Sequence, residues 1–188
     1  MANSTFQQAL EIIREKTSND VELGTAFERL VKVFLENDDT QKQEYEQVWH
    51  YKDWAHQRTG YTGKDIGIDL VAKLRNSDGY CAVQCKCYHQ DHTISKQDLD
   101  SFISASASDD FTRLLLVDTS AQDIGRNAQA VFDNLNKEYI RIPTHELEDS
   151  RIDWLTYVRE DRVRLASKKD LRDHQKLALK DVKQGLSE

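Results

Sequence analysis

Three polar residues interrupt two otherwise apolar segments of this chain. In GKDIGIDLVAK, beginning at Gly63, the carboxylate Asp69 lies between Ile68 and Leu70. In YCAVQCKCY, beginning at Tyr80, Gln84 and Lys86 stand where a buried strand would continue with Val or Ile. Burying an unpaired charge is expensive, so such residues are paired, shifted in protonation or bound to a metal. The RNSDG between the segments reads as a hairpin loop, which pairs the two strands. Side chains alternate across a strand, so Gln84 and Lys86 share a face with Ala82 and Tyr88, and Cys81, Val83, Cys85 and Cys87 take the other. This pairing brings Asp69 near Gln84 and Lys86. A carboxylate and an amide oxygen are hard donors that suit Mg²⁺, an ion that keeps several waters and also takes phosphate oxygens. A bound ion of this kind acidifies a water and stabilises charge developing on a phosphate, while the lysine orients the water or neutralises that charge. The pattern predicts a metal-dependent phosphodiesterase site.

Plainer readings stand beside this one. Asp69 alone could be a strand residue bonded to neighbouring backbone, and Lys86 alone could snorkel to solvent. It is the combination across two strands that favours a site. Asp65 is an alternative ligand, although its loop position also suits solvated surface. Glu28 borders the apolar stripe of a helix, where exposed glutamates are common. Cys85, Cys87, His89 and His92 raise the possibility of zinc, but Cys85 and Cys87 are two apart on a strand, about 6.5 Å of chain, rather than on a turn. Trp49, Tyr51 and Trp54 read as packing residues, with nucleic-acid contact as the lesser alternative.

The elements that must position these residues follow from periodicity. Phe6, Ala9, Leu10, Ile12 and Ile13 have helical spacing over residues 1–17. GTAFERLVKVFLEND repeats apolar residues at Phe27, Leu30, Val31, Phe34 and Leu35, a stronger helix. Residues 36–47 read as a polar loop, and YEQVWHYKDW as a short strand or an irregular aromatic segment. Ile66 to Leu74 and Tyr80 to Tyr88 read as strands. SKQDLDSFISASA reads as a helix with Ser95 and Asp98 at capping-box spacing. RLLLVDTS is a central strand, SAQDIGRNAQAVFDNLNKE a helix, YIRI a last strand, and THELEDSRIDWLTYV a closing helix. The order predicts an α/β domain with a mixed sheet.

The totals are compatible with that picture. At 188 residues, the chain can hold one full domain with some extra, or two small ones. A hydrophobic content of 38% and a mean hydropathy of −0.73 suit a modest core. No apolar run is long enough for a membrane helix and no apolar signal region opens the chain. The 3 cysteines do not form a disulfide framework, and the expected location is the cytoplasm. The net charge of −7 runs against the basic balance usual for free DNA-binding domains, though an acidic protein can still carry one basic groove.

GKDIGIDLVA followed by CAVQCKCY resembles the Mrr-like branch of the PD-(D/E)xK nucleases, in which glutamine often replaces the acidic residue of the last motif to give Q-x-K. The resemblance implies a restriction-endonuclease-like core, a mixed central sheet flanked by helices. It implies Asp69 as metal ligand, Gln84 as second motif residue and ligand, Lys86 as catalytic lysine, and the Cys85 main-chain carbonyl as a further ligand. Glu28, in GTAFERLVK, matches the catalytic glutamate on the helix before the core. LLLVDTS and YIRIPTHEL follow the branch's layout, so the resemblance covers roughly residues 20–150.

The aromatic VWHYKDW and the tail LRDHQKLAL extend it. The tail looks like the opening of a superfamily-two helicase, and a nuclease followed directly by a helicase resembles the single-polypeptide type I (type ISP) restriction enzymes. The implied organisation is a nuclease domain over 1–165, then over 166–188 a connector and the first helix of a truncated helicase-like domain. The implied cofactor is Mg²⁺, with ATP serving only the helicase part. The implied partners are double-stranded DNA and the helicase-like, methyltransferase and target-recognition domains of a parent chain, with no membrane. The alternatives are a catalytically inactive nuclease-fold module docking DNA or a helicase partner and, third, a structural zinc module.

Overall fold

The structure, a computed structural model, describes residues 5–64 and 66–167. At its centre is a five-stranded mixed sheet of β1 (Tyr45–His50), β2 (Leu70–Leu74), β3 (Tyr80–Lys86), β4 (Phe111–Asp118) and β5 (Glu138–Ile142), in that spatial order. β1, β2 and β3 are antiparallel neighbours, whereas β3, β4 and β5 run parallel. A short hairpin loop joins β2 to β3, a longer connection with a short helix joins β1 to β2, and helical crossovers join the parallel strands, as parallel pairing requires.

Alternation divides the sheet's side chains between two cores. Leu70, Ala72, Cys81, Val83, Cys85, Leu115 and Val117 face α1 (Thr5–Lys16), α2 (Asp20–Asn37), α7 (Thr144–Asp149) and α8 (Trp154–Glu160). Val71, Ala82, Leu114 and Leu116 face α4 (Tyr51–His56), α5 (Asp100–Ala105) and α6 (Arg126–Asp133). The apolar stripes of α1 and α2 are buried as their spacing predicts, with Phe6, Leu10, Phe27, Leu30 and Phe34 at most 1% exposed.

Several boundaries differ from the sequence expectation. α2 begins at Asp20, because Asn19 Oδ1 accepts the Glu22 N–H at 3.0 Å and the Glu22 carboxylate accepts the Ser18 N–H at 2.8 Å. The expected loop over 36–47 holds a single helical turn, α3 (Gln41–Glu44), and the start of β1; of the segment read as a short strand or irregular, YEQVWH is the strand β1 and Tyr51 begins a helix. Asp38 Oδ1 nucleates that turn by accepting from the N–H groups of Thr40 and Gln41 at 2.9 and 3.2 Å. The expected closing helix is two, because Ile152 leaves the helix to bridge Leu165 and Asp153 caps a new start, accepting from Thr156 N–H at 3.0 Å. Ser95 and Asp98 do bond, through the Ser95 N–H to Asp98 Oδ2 at 2.8 Å, but α5 itself begins only at Asp100. The helix expected from Leu171 onward lies outside the described residues.

Candidate active site

The β2–β3 hairpin sets the site. Its register pairs Leu70 with Val83, and the pairing runs one residue beyond β2, where Asp69 N–H donates to Val83 O at 3.0 Å. The carbonyl of Asp69 accepts from Tyr51 N–H at 2.9 Å, so main-chain bonds from two elements fix this residue. β2 itself starts later than the expected Ile66. Gly67 has φ +92°, and an added Cβ there would stand 2.6 Å from Ser101 Oγ, so the chain passes close against α5 before turning into the strand.

Oδ2 of the Asp69 side chain accepts two hydrogen bonds, from the Cys85 N–H at 2.7 Å and from Nε2 of Gln84. Gln84 is only 3% exposed. Its other amide atom, Oε1, is buried and has no hydrogen-bond partner among the described residues. A buried orphan acceptor of this kind costs about 1–3 kcal/mol and requires an explanation. The sequence pattern anticipated the amide oxygen beside Asp69. Instead the amide nitrogen faces the carboxylate, and the oxygen is left over.

Lys86 closes β3 on the same strand face as Gln84. Its carbonyl accepts from Thr119 N–H at 3.1 Å, and it pairs in register with Asp118 of β4. Its half-exposed ammonium makes no ion pair or hydrogen bond among the described residues. Between these groups lies Cys85, whose thiol burial pushes well above its ordinary pKa. The negative charges of Asp69 and Glu28 push it the same way and Lys86 opposes them. One sulfur thus senses all three charged candidates, and it stays a neutral thiol.

Glu28 reaches the site from α2. Its Oε2 lies 3.7 Å from Nδ1 of His50, at the end of β1. Glu28, His50, Lys52 and Asp69 line one cleft of about 440 Å³. Lys86 opens onto a neighbouring cleft of about 530 Å³, with Arg14, Gly24, Cys85 and His89. The carboxylates and the lysine therefore open onto two clefts rather than one cavity, with Asp69 bonded to the Cys85 N–H between them.

Among the described residues, no three His, Cys, Asp or Glu side chains are grouped to hold a metal. Cys85, Cys87, His89 and His92 are accordingly not gathered. His89 lies 3.5 Å from Asp91, and His92 lies 3.4 Å from Asp98. The donors present at the hairpin are of another kind: one carboxylate, one orphan amide oxygen and one main-chain carbonyl. This oxygen set fits Mg²⁺ completed by waters and substrate. Asp65 lies outside the described residues. Tyr51 and Trp54 are buried, the Trp54 ring packing among Tyr61, Tyr80 and Phe111.

Two features near the site had no sequence signal. His50 reads only as the end of an aromatic segment, and its approach to Glu28 depends on α2 packing over β1. Asp118 is fully buried and held by Arg141 through Nε at 2.7 Å and Nη2 at 3.0 Å, with the Ser120 N–H adding a bond at 2.9 Å. It is saturated by these partners and clamps the ends of β4 and β5 beside Lys86.

The sequence matches the Mrr_cat_2 family, described as restriction endonuclease, over residues 36–163. No curated protein matches. Among solved structures, the chain is similar to the ATP-dependent type ISP restriction-modification enzyme LlaBIII bound to DNA, with 27% identity and a TM-score of 0.71. That similarity covers 98% of this chain but 11% of the other, so the chain spans a small part of that enzyme's length. It is also similar to the DNA modification-dependent restriction endonuclease AspBHI, with 18% identity, a TM-score of 0.48 and coverage of 82% and 36% of the two chains. A third similarity is to the MspJI restriction endonuclease in complex with a 27-mer oligonucleotide, with 17% identity, a TM-score of 0.46 and coverage of 77% and 29%. The expected restriction-endonuclease-like fold, a mixed sheet flanked by helices, is the one present.

Proposed function

The chain belongs to the Mrr-type restriction endonuclease family, and from that premise we propose that it is a Mg²⁺-dependent endonuclease domain hydrolysing DNA phosphodiester bonds at the β2–β3 hairpin. The observation that carries this reading is the buried, partnerless Oε1 of Gln84 beside the Asp69 carboxylate. Asp69, Gln84 Oε1 and the Cys85 carbonyl would hold the ion, which supplies Lewis-acid stabilisation of the phosphate and a more acidic water.

The protein's own groups divide the remaining work. Gln84 Nε2 and Cys85 N–H fix one oxygen of Asp69 and so set the direction of the other. Lys86, with no partner among the described residues, is available to neutralise charge on the scissile phosphate or orient the attacking water. Glu28 adds negative charge from the opposite helix, and His50 restrains it.

The parent-chain role rests on the similarity to LlaBIII and on the tail sequence. In this reading the domain is the N-terminal part of a translocating restriction enzyme of the type ISP kind. A helicase-like domain, accompanied by methyltransferase and target-recognition domains, then delivers double-stranded DNA at the expense of ATP. A helix long and apolar enough to cross a membrane is absent among the described residues.

Metal binding separates this reading from a nuclease-fold docking module, which has no use for the hairpin's oxygen set. The test is thermal unfolding of the chain and of Asp69→Asn with and without millimolar Mg²⁺. An ion that binds the native state raises Tm by mass action. A Mg²⁺-dependent rise in the wild type that is lost in Asp69→Asn is expected. No rise, or the same rise in both, would favour the docking module.

A further inference from the structure

Gly24 lies within α2, where glycine is the poorest helix former after proline. Among the described residues, nothing requires it there. An added Cβ at Gly24 meets no atom within 4 Å, and its φ is not positive, unlike those of Gly60, Gly63 and Gly67. The contrast with Gly79, where an added Cβ would stand 2.2 Å from Thr112, is direct. A glycine without an internal cause, on a helix face open to a cleft, is what a close approach from outside requires.

That cleft is the one onto which Lys86 opens. Its cations are Arg14 and Lys86, the imidazole of His89 lies beside them, and Asp20 is the carboxylate among its described lining residues. Arg14 is exposed, with its Nη2 3.5 Å from the Tyr88 carbonyl. Gly24 precedes Glu28 by one helical turn, about 6 Å along the axis, on the same face of α2. The helix face thus leads from Gly24 directly to the carboxylate end of the site. We infer that the DNA strand engaged at the Lys86 end runs across Gly24, its sugar-phosphate backbone close against α2, with Arg14 and His89 taking the phosphate beyond the scissile one. Asp20 repels phosphate at the first turn of α2 and confines the strand to the Arg14 side. The inference rests on the reading of the hairpin as a phosphodiester-cleaving site, and it names the path of the substrate strand away from it.

The test reads duplex binding in EDTA at low salt by fluorescence anisotropy, so that cleavage does not enter. Gly24→Leu and Gly24→Ala place a side chain in open space on a helix, and both are expected to keep or raise Tm. Gly24→Leu should nevertheless weaken duplex binding by roughly an order of magnitude, and Gly24→Ala by less. Arg14→Gln should weaken binding and flatten the dependence of log Kd on log salt by about 1. Wild-type affinity in Gly24→Leu at unchanged Tm overturns the strand path, as does an unchanged salt slope in Arg14→Gln. The two readings fail separately. Duplex binding that depends on Gly24, without any Mg²⁺-dependent cleavage, removes the nuclease and leaves the path. Cleavage that depends on Lys86, with binding indifferent to Gly24, removes the path alone.

Discussion

Gln84 donates its amide N–H to Oδ2 of Asp69, and the same oxygen accepts the Cys85 N–H. The two residues are thus fastened directly to each other and to the β3 main chain. A glutamate in place of Gln84 could not donate, and two carboxylates would then face each other in a site where Gln84 is 3% exposed. Glutamine instead permits a site assembled in advance, at the cost of an orphan Oε1 that a hard cation would satisfy.

This relationship sets apart two substitutions at one position. Gln84→Glu should cleave DNA with Mg²⁺, because it keeps an oxygen where the ion would bind. Its metal-free form should unfold at a lower Tm than wild type and gain more from Mg²⁺. Without metal it should also gain stability as pH falls, since mutual repulsion raises the pKa of the pair in the folded state and protonation relieves it. Gln84→Ala should lose activity and metal response together. Identical behaviour of the two variants in cleavage and Mg²⁺-dependent melting would show that Gln84 is not a ligand.

Asp69→Asn and Lys86→Ala should each reduce cleavage by about 10²-fold or more. Both should remain folded. Asn retains an oxygen acceptor for the Cys85 N–H, so its cost is about 1 kcal/mol, and Lys86 has no partner among the described residues to lose. Circular dichroism and thermal melts check the fold beside the cleavage rates.

Cys85 separates main chain from side chain. Its thiol is held neutral by burial and by the neighbouring carboxylates, so the carbonyl rather than the sulfur is the proposed ligand. Cys85→Ala should keep cleavage within a few-fold of wild type while losing about 1 kcal/mol of stability to the small cavity. Loss of cleavage in a folded Cys85→Ala would assign the ligand role to sulfur.

Glu28 stands one layer away, paired with His50 rather than bonded to Asp69. Glu28→Gln should lower cleavage about 10- to 100-fold, through weaker Mg²⁺ affinity, with little change in Tm. A Mg²⁺ titration of cleavage that matches wild type in midpoint and maximum would remove Glu28 from the site.

Much of this was legible in the sequence for a simple physical reason. Strand alternation alone placed Gln84 and Lys86 on one face and Cys81, Val83 and Cys85 on the other, and hairpin pairing brought Asp69 beside Gln84. The stripes of α1 and α2 were equally plain, since a buried helix face leaves its period in the residues. What stayed hidden depended on contacts between distant segments. Which amide atom of Gln84 turns to Asp69 is decided by the Cys85 N–H and the carboxylate in three dimensions. His50 near Glu28 needs α2 laid over β1. The split between α7 and α8 comes from a bridge between Ile152 and Leu165, which helical periodicity around Trp154 conceals. The early start of α2 was available, in the SNDVE capping pattern, but the apolar stripe masked it.

The acidic balance of the chain predicts a salt dependence. With a net charge of −7, sequence-independent affinity for duplex should be weak, and cleavage by this chain alone should be poor or undetectable at physiological salt. Tethering to a translocating neighbour would replace that affinity with local concentration. Efficient linearisation of plasmid by the chain alone at physiological salt would contradict this division of labour.

The central claim, that the β2–β3 hairpin is a Mg²⁺-dependent phosphodiesterase site, is tested most directly with supercoiled plasmid at low salt. Wild type, Asp69→Asn and Lys86→Ala are incubated with Mg²⁺ or with EDTA, and the nicked fraction is followed over time. The account predicts nicking by the wild type in Mg²⁺ only, with one strand broken per event, and none by either variant. Nicking that persists in Lys86→Ala and Asp69→Asn at the wild-type rate, or that continues in EDTA, would contradict it.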